Sequence, residues 1–349
     1  MRKEYKKEYK KEYLVGINYF SGWWRQYPNK YQTDGNRDWR RDYPDRTALL
    51  GCYNDQETMD AEIEAASSHG VDFFLMLWYV EKPERHPHGT RLNNGLRQFI
   101  ASKESYKMKF AIEYCNHKPF LIEEEEMWRE CCIEWVEMMK HPSYLRIGNK
   151  ALFKVHSLYQ FTEECKGDPV KAKNRLDYLR NMAMSEGVGE LLIGIGIIAL
   201  HVSAEKEIPF IKLFDYCAIY MDVPELIKSD HAYQYEKLLE LAEKSWEVQG
   251  EKSLIPHMPY LPSGWMPDPW GDKRPSFEFP DKSKWLTALN KIKEALDKER
   301  RLRLPNDTFE GQKIFNIYAW NEFGEGGITA PTFGDGWMKL EGIHEVYGL

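Results

Sequence analysis

The sequence predicts a (β/α)₈ barrel, and three observations indicate this fold class. Short apolar runs rich in Val, Ile and Phe alternate with longer segments of helical period, which is typical of parallel strands joined by helices. Eight such runs can be counted, and eight is the number of strands that closes this barrel. No glycine-rich phosphate turn follows the first run, whereas a doubly wound sheet would carry one there.

The predicted strands follow one another along the chain. They cover residues 14–20, 71–78, 109–114, 151–156, 191–197, 216–220, 253–258 and 314–319. The run 71–78 is almost entirely apolar, as expected for a strand that is buried on both faces.

Helices are predicted between these strands. They cover residues 55–69, 94–102, 123–139, 234–248 and 284–301. In the first helix, Asp55 is a suitable N-cap, and Gly70 follows the last residue as a stop signal. Apolar residues at positions 59, 63 and 66 form the stripe that would face the barrel.

The chain is longer than the barrel alone requires. It has 349 residues, against about 250 in a typical barrel of this kind. We therefore expect long loops, chiefly at 21–54 and 259–281. Residues 1–12 are predicted to form a charged tail, and residues 13–349 a single catalytic barrel domain.

Composition and charge argue against several classes of protein. The chain has 48 Lys and Arg against 55 Asp and Glu, a net charge of −7, and no uniformly basic segment, so nucleic acid is not an expected partner. The apolar runs are too short to span a membrane, and the first dozen residues lack the apolar stretch of a secretion signal, so we expect a cytoplasmic protein. The six cysteines form no C-x-x-C pair, and neither a metal nor another cofactor is expected. The oligomeric state is not specified.

Polar and aromatic residues gather where the predicted strands end. In a (β/α)₈ barrel these carboxyl ends build the active site, and amides, carboxylates and flat rings are what sugar hydroxyls and sugar faces require. The predicted substrate-binding residues are Tyr19, Trp78, Tyr79, Glu113, Asn116, His156, Tyr220, Tyr260, Trp265, Trp320 and Asn321. His156 is equally compatible with a hydrogen-bonded structural role, and the tryptophans with packing beneath long loops.

Glu322 and Glu325 are the strongest catalytic candidates. They follow the apolar strand 314–319 directly, and glycines in the segment allow a sharp turn that brings both side chains to one side. In such a pair, burial and mutual repulsion can keep one carboxyl protonated as a general acid while the other acts as a base. The alternative is that both are solvated loop residues.

The segment 320–326, Trp-Asn-Glu-Phe-Gly-Glu-Gly, resembles the N-E-W-x-E-G signature of glycoside hydrolase family 99 and of the related WbsX-like group. Further matches occur in the same order along the chain. They are residues 70–74 running into 78–79, 141–146 with 150–153, and 263–265 with 273–275. The chain departs from the signature at Phe323, where family 99 has Trp, and at Gly324, where it has His.

This resemblance implies a metal-independent (β/α)₈ hydrolase that cleaves α-linked mannose-type glycans internally and with retention. Glu322 would act as the base on the sugar's own 2-hydroxyl, and Glu325 as the acid that protonates the leaving oxygen. The usual retaining scheme differs, because there a carboxylate is itself the nucleophile.

Two other functions fit the same sequence. The WbsX-like group is often described as glycosyltransferases, so a transferase or accessory role in polysaccharide assembly is the first alternative. An obvious Asp-x-Asp element for a nucleotide sugar is absent from the sequence. The second alternative is a barrel that binds carbohydrate without catalysis.

Overall fold

The computed structural model describes residues 11–32, 37–81, 91–197, 205–223 and 231–348. The strands are β1 (Tyr13–Tyr19), β2 (Phe73–Trp78), β3 (Lys109–Tyr114), β4 (Arg146–Ile147), β5 (Lys150–Val155), β6 (Leu191–Gly196), β7 (Tyr216–Ala218), β8 (His257–Met258), β9 (Tyr260–Pro262), β10 (Arg303–Leu304), β11 (Gln312–Tyr318), β12 (Asn321–Glu322) and β13 (Gly327–Ile328). The helices are α1 (Gln56–Ser68), α2 (Asn94–Ala101), α3 (Glu125–Met139), α4 (Leu158–Glu164), α5 (Pro169–Ser185), α6 (Ile208–Ile211), α7 (Tyr235–Lys252), α8 (Lys282–Lys298) and α9 (Met338–Tyr347).

The parallel strands form the predicted (β/α)₈ barrel. Their order around the ring is β1, β2, β3, β5, β6, β7 and β8, and β11 returns to pair with β1. The seventh strand of the barrel is split at Pro259 into two parts. The first part, β8, pairs with β7, and the second part, β9, pairs with β11. The Pro259 carbonyl accepts a hydrogen bond from the Asn316 amide of β11 at 3.0 Å, which joins the point of the split to β11.

The seventh strand of the barrel begins later than the sequence predicts. Residues 253–256 were expected to be strand, but Ser253 caps helix α7, and its amide donates to the Gln249 carbonyl at 3.1 Å. Helix α7 thus extends four residues beyond the predicted end at 248. The strand predicted at 216–220 is also shorter, because only Tyr216–Ala218 pair as strand.

Two apolar layers hold the barrel together. On β2, Phe73 and Leu75 face the barrel axis, where they meet Leu152 and Leu192 from other strands. The alternate residues Phe74, Met76 and Trp78 belong to the layer between the barrel and the surrounding helices. Because side chains alternate along a strand, this parity decides which strand-end residues face the barrel axis.

The helices begin where capping side chains satisfy free backbone amides. Asp55 accepts from the Thr58 amide at 3.1 Å before α1, and Asp281 accepts from the Lys284 amide at 2.9 Å before α8. Among the described residues, no helix has the length and apolar character needed to cross a membrane.

The end of the predicted N-terminal tail contacts the barrel. Lys11 forms an ion pair with Asp72 at 3.0 Å, and Asp72 also accepts from the Val15 amide at 2.8 Å. Residues 1–10 of that predicted tail lie outside the described ranges.

Candidate active site

Glu322 and Glu325 lie on a tight hairpin formed by β12 and β13. Glu322 pairs with Gly327 across the hairpin, and its carbonyl accepts from the amides of Glu325 and Gly326 at 3.1 and 2.9 Å. Gly326 has a φ of +84°, and a Cβ there would lie 2.6 Å from the Met266 amide nitrogen, so glycine is required. The hairpin therefore directs both carboxyl groups into one cavity.

That cavity lies at the carboxyl ends of the barrel strands and has a volume of about 300 Å³. Its lining residues are Leu77, Tyr79, Cys115, His117, His156, Tyr220, Met221, Trp265, Arg274, Glu322 and Glu325. This size falls at the lower end of the range for small-molecule sites. The opposite end of the barrel has a larger depression of about 560 Å³, but Arg300, Arg301 and Arg303 there bond to backbone carbonyls.

Each carboxyl group of the pair has its own phenol donor. The Tyr220 hydroxyl donates to Glu322 Oε1 at 2.6 Å, and the Tyr318 hydroxyl donates to Glu325 Oε2. The two phenol rings meet edge to face with centroids 5.0 Å apart. These contacts fix the orientation of both carboxyl groups with neutral donors.

The surroundings favour protonation of the pair. Burial and the negative charge of Glu325 raise the pKa of Glu322 well above its ordinary value, although Tyr220 and Lys30 oppose that rise. Burial likewise raises the pKa of Glu325, against the opposing effects of Tyr318 and the Arg274 guanidinium. Near neutral pH the pair therefore resists full ionisation and tends to hold a proton.

Glu113 lies in a second buried carboxylate cluster beneath the cavity. Its Oε1 is 2.7 Å from both Lys154 Nζ and His156 Nδ1, and its Oε2 accepts from Asn18 Nδ2 at 3.1 Å. Burial opposes its charge, but the Lys154 ammonium and His156 hold the pKa of Glu113 down at about 2. Glu113 was predicted to contact substrate, yet its side chain is fully buried and its acceptors are occupied by protein donors.

Four of the predicted binding residues border the cavity. These are Tyr79, His156, Tyr220 and Trp265. His156 is held from below by Glu113, and its ring lies 5.1 Å from that of Tyr220. Both readings of His156 that the sequence left open therefore apply, because it is bonded within the barrel and also exposed to the cavity.

Three predicted sugar contacts lie instead in the layer between barrel and helices. The Tyr19 hydroxyl and the Trp320 indole N–H both donate to Glu62 of α1, at 2.6 and 2.8 Å. The Trp78 indole N–H donates to Glu134 of α3 at 3.1 Å. Strand parity directs Tyr19 and Trp78 outward, and all three side chains contact the surrounding helices.

Three other predicted substrate contacts form hydrogen bonds to backbone groups of loops. Asn116 bonds to both the amide and the carbonyl of Ser157, at 2.8 and 2.9 Å. Asn321 does the same with Phe20, at 2.8 and 3.0 Å. Tyr260 is buried, and its hydroxyl donates to the Asp222 carbonyl at 3.4 Å.

Five cavity residues were not among the predicted binding residues. They are Leu77, Cys115, His117, Met221 and Arg274. Arg274 belongs to a segment that carried the family resemblance, and its position in the long loop 263–281 is the signal that could have identified it. Leu77 and Cys115 could not be identified from the sequence, because they line the cavity without a charged or strongly polar group.

Phe323, which replaces the signature tryptophan, packs away from the carboxyl groups. It is 2% exposed, and its ring lies 5.2 Å from Trp23 and 6.3 Å from Tyr31. Within the described ranges, no three His, Cys, Asp or Glu side chains lie close enough to hold a metal ion together.

Comparison with known proteins finds likeness of fold. No family model matches the sequence, and no curated protein matches it. A GH99 endo-alpha-mannosidase from Bacteroides thetaiotaomicron matches with a TM-score of 0.55 and 14% identity, over 91% of this chain and 87% of that chain. Its complex with BIS-TRIS-propane gives a TM-score of 0.54 and 15% identity, with the same coverage.

A more distant match is an exo-beta-1,4-mannosidase from Opitutaceae bacterium strain TAV5. Its TM-score is 0.52 at 11% identity, over 96% of this chain and 59% of that chain. At these identities the comparison establishes the fold, and the resemblance to glycoside hydrolase family 99 expected from the sequence is confirmed at that level.

Proposed function

We propose that this chain is a retaining glycoside hydrolase that cleaves an α-linked, mannose-type glycan with Glu322 and Glu325. The observation that carries the proposal is the buried carboxyl pair, which shares one cavity at the carboxyl ends of the barrel strands. Likeness of fold to a protein named endo-alpha-mannosidase supports the same reaction class. The substrate is accordingly an oligosaccharide or polysaccharide.

In the first step, Glu322 takes the proton of the sugar's 2-hydroxyl. The freed oxygen attacks the anomeric carbon, the glycosidic bond breaks, and Glu325 gives its proton to the leaving oxygen. The sugar is left as a 1,2-anhydro intermediate. In the second step, Glu325 takes a proton from water, the water oxygen opens the strained ring at the anomeric carbon, and Glu322 returns its proton to the 2-oxygen. Two inversions give net retention.

This sequence of steps needs one proton on the pair at the start. Burial and mutual repulsion of the two groups favour that one-proton state over the fully ionised one. The phenols of Tyr220 and Tyr318 hold the two carboxyl groups in place while protons pass to and from the sugar. Neither group has a salt bridge to a cation among the described residues, so each can exchange a proton.

The test compares Glu322→Gln and Glu325→Gln with the wild-type protein on α-linked mannose oligosaccharides. Each change should lower turnover by about 10³-fold, because proton transfer is lost, while circular dichroism shows an intact fold. Proton NMR of fresh wild-type product should show retention at the anomeric carbon.

The exposed Glu130→Gln on α3 is the matched control and should keep full activity. Inverted product, unchanged turnover in both active-site variants, or transfer from a nucleotide sugar would overturn the proposal.

A further inference from the structure

Lys30 places a positive charge beside the hairpin that carries the acids. Its ammonium lies 5.5 Å from the ring centroid of Phe20 and 5.2 Å from that of Trp270. Within the described residues, no carboxylate lies at salt-bridge distance from it, although the charges of Glu322 and Glu325 act on it. Aromatic faces therefore flank this cation, and no acceptor among the described residues bonds its ammonium.

Gly324 makes room for this arrangement. A Cβ at position 324 would lie 2.1 Å from Cε2 of Trp270, so the indole packs directly on the backbone between the two acids. A larger side chain there, such as the histidine of the family 99 signature, would displace the indole. Gly324 thus allows Trp270, and with it Lys30, to lie beside the acids.

Arg274 supplies further donors at the cavity wall. Its guanidinium lies 4.3 Å from the ring centroid of Trp265. Asp272 accepts from Nε at 3.0 Å and from Nη2 at 2.7 Å, and no described acceptor bonds Nη1. The indole N–H groups of Trp265 and Trp270 are also buried without an acceptor in the described part of the chain.

We propose that Lys30 and Arg274 bind an anionic substituent of the glycan, a carboxylate, sulfate or phosphate carried by the sugar. The inference rests on the proposed function, because it concerns the substrate of the same pair of acids, whose charges act on Lys30. It identifies Lys30 as the residue that selects acidic over neutral sugars, with Arg274 as a supporting donor.

The chemistry of the free donors carries this inference. Ammonium and guanidinium groups only donate, and the charges of Lys30 and Arg274 both act on the acid pair, so these two groups match a ligand group that only accepts. Sugar hydroxyls both donate and accept, whereas ionised oxyacid groups accept only and form the stronger, charge-assisted bonds. An unmet buried donor is also costly, which gives such a ligand group an advantage on binding.

The test measures binding by calorimetry, with thio-linked α-mannobiosides that resist hydrolysis. Three probes differ at one position, carrying a 6-hydroxyl, a 6-carboxylate or a 6-sulfate. The wild-type protein should bind at least one of the two acidic probes about tenfold more tightly than the neutral one, the gain expected from one charge-assisted contact. This preference should weaken as salt is added.

Lys30→Met should reduce that preference to near unity, and Lys30→Arg should retain most of it. Lys244→Met, an exposed site on α7, is the control and should behave as wild type. Equal or tighter binding of the neutral probe overturns the inference. So does a preference that survives in Lys30→Met, no binding of either acidic probe, or inorganic sulfate binding as tightly as the sulfated probe.

Because the probes are not cleaved, this result is independent of turnover. Acidic probes that bind as expected, together with an absence of hydrolysis in the activity assay, would refute the proposed reaction and leave the binding inference standing. Hydrolysis of neutral glycans without any preference for acidic probes would support the proposed reaction and refute the binding inference.

Discussion

Strands β3 and β11 both lead to buried glutamates at the same end of the barrel, yet the two sites differ in what surrounds the acid. Glu113 has an ammonium and an imidazole nitrogen 2.7 Å from one oxygen. Glu322 and Glu325 have phenol donors and each other. The first acid is held ionised with a pKa of about 2, whereas the pKa of each acid in the second site is raised.

The difference shows that a strand-end acid is not sufficient for proton transfer. A carboxylate beside a permanent cation keeps its charge across the physiological range and organises its neighbours. A carboxyl group among neutral donors can gain and lose a proton near neutral pH. This contrast supports the proposal that the pair on the hairpin carries out the chemistry, while Glu113 holds His156 in place.

The largest expected effect comes from breaking the Glu113 cluster. Lys154→Met leaves a fully buried carboxylate without its ammonium partner, and the free energy of unfolding should fall by about 3–5 kcal/mol. Glu322→Gln should change it by less than about 1 kcal/mol, because no ion pair is lost. Urea unfolding at pH 7 measures both. A Lys154→Met protein as stable as wild type would contradict the comparison.

Glu62 extends the comparison to a third buried acid with neutral donors only. Burial raises its pKa to about 7, against the donors Tyr19 and Trp320. Because the folded pKa lies above the unfolded one, its contribution to stability is present below about pH 4 and is lost as pH rises through 7. Between those limits the loss amounts to about 3 kcal/mol.

Glu62→Gln should therefore remove part of the decline in unfolding free energy between pH 5 and pH 8. Denaturation at the two pH values measures this decline in both proteins. Glu164, whose pKa burial also raises to about 7, remains in the variant and accounts for a further share. An identical decline in wild type and variant would show that Glu62 does not titrate in this range.

The smallest expected effect concerns a single phenol. Tyr318→Phe removes a donor that lowers the pKa of Glu325, so this pKa should rise further. The alkaline limb of the kcat/KM profile should then move to higher pH by up to about one pH unit. A pH series on wild type and variant measures it. Movement to lower pH would mean that Glu325 is not the group titrating there.

Most of the fold was predictable because its signals are local. Apolar runs separated by capped helices specify strands and helices regardless of their partners, and Asp55 and Gly70 mark the ends of α1 as expected. The split of the seventh strand was not predictable in the same way. Whether the residues on either side of Pro259 pair with β7 or with β11 depends on tertiary contacts, which the local sequence does not reveal.

The site was only partly predictable, and strand parity explains why. Strand β2 is apolar on both faces, so its sequence does not reveal that Leu77 faces the cavity while Trp78 faces α3. The same ambiguity at β1 explains why Tyr19 was predicted to bind substrate, although Asn18 is the residue whose side chain faces Glu113 inside the barrel. The acid pair was identifiable because both residues follow the strand on a short turn.

The split at Pro259 gives the barrel a seam. Only two register pairs join β7 to β8, against five between β5 and β6. Amide hydrogens along this seam should exchange before those of the opposite wall. The loop with Trp265 and Arg274 follows β9 directly, so opening of the seam would move one wall of the cavity while the other strands stay paired. We therefore expect the wall of the cavity next to the seam to be the first part of the site to open.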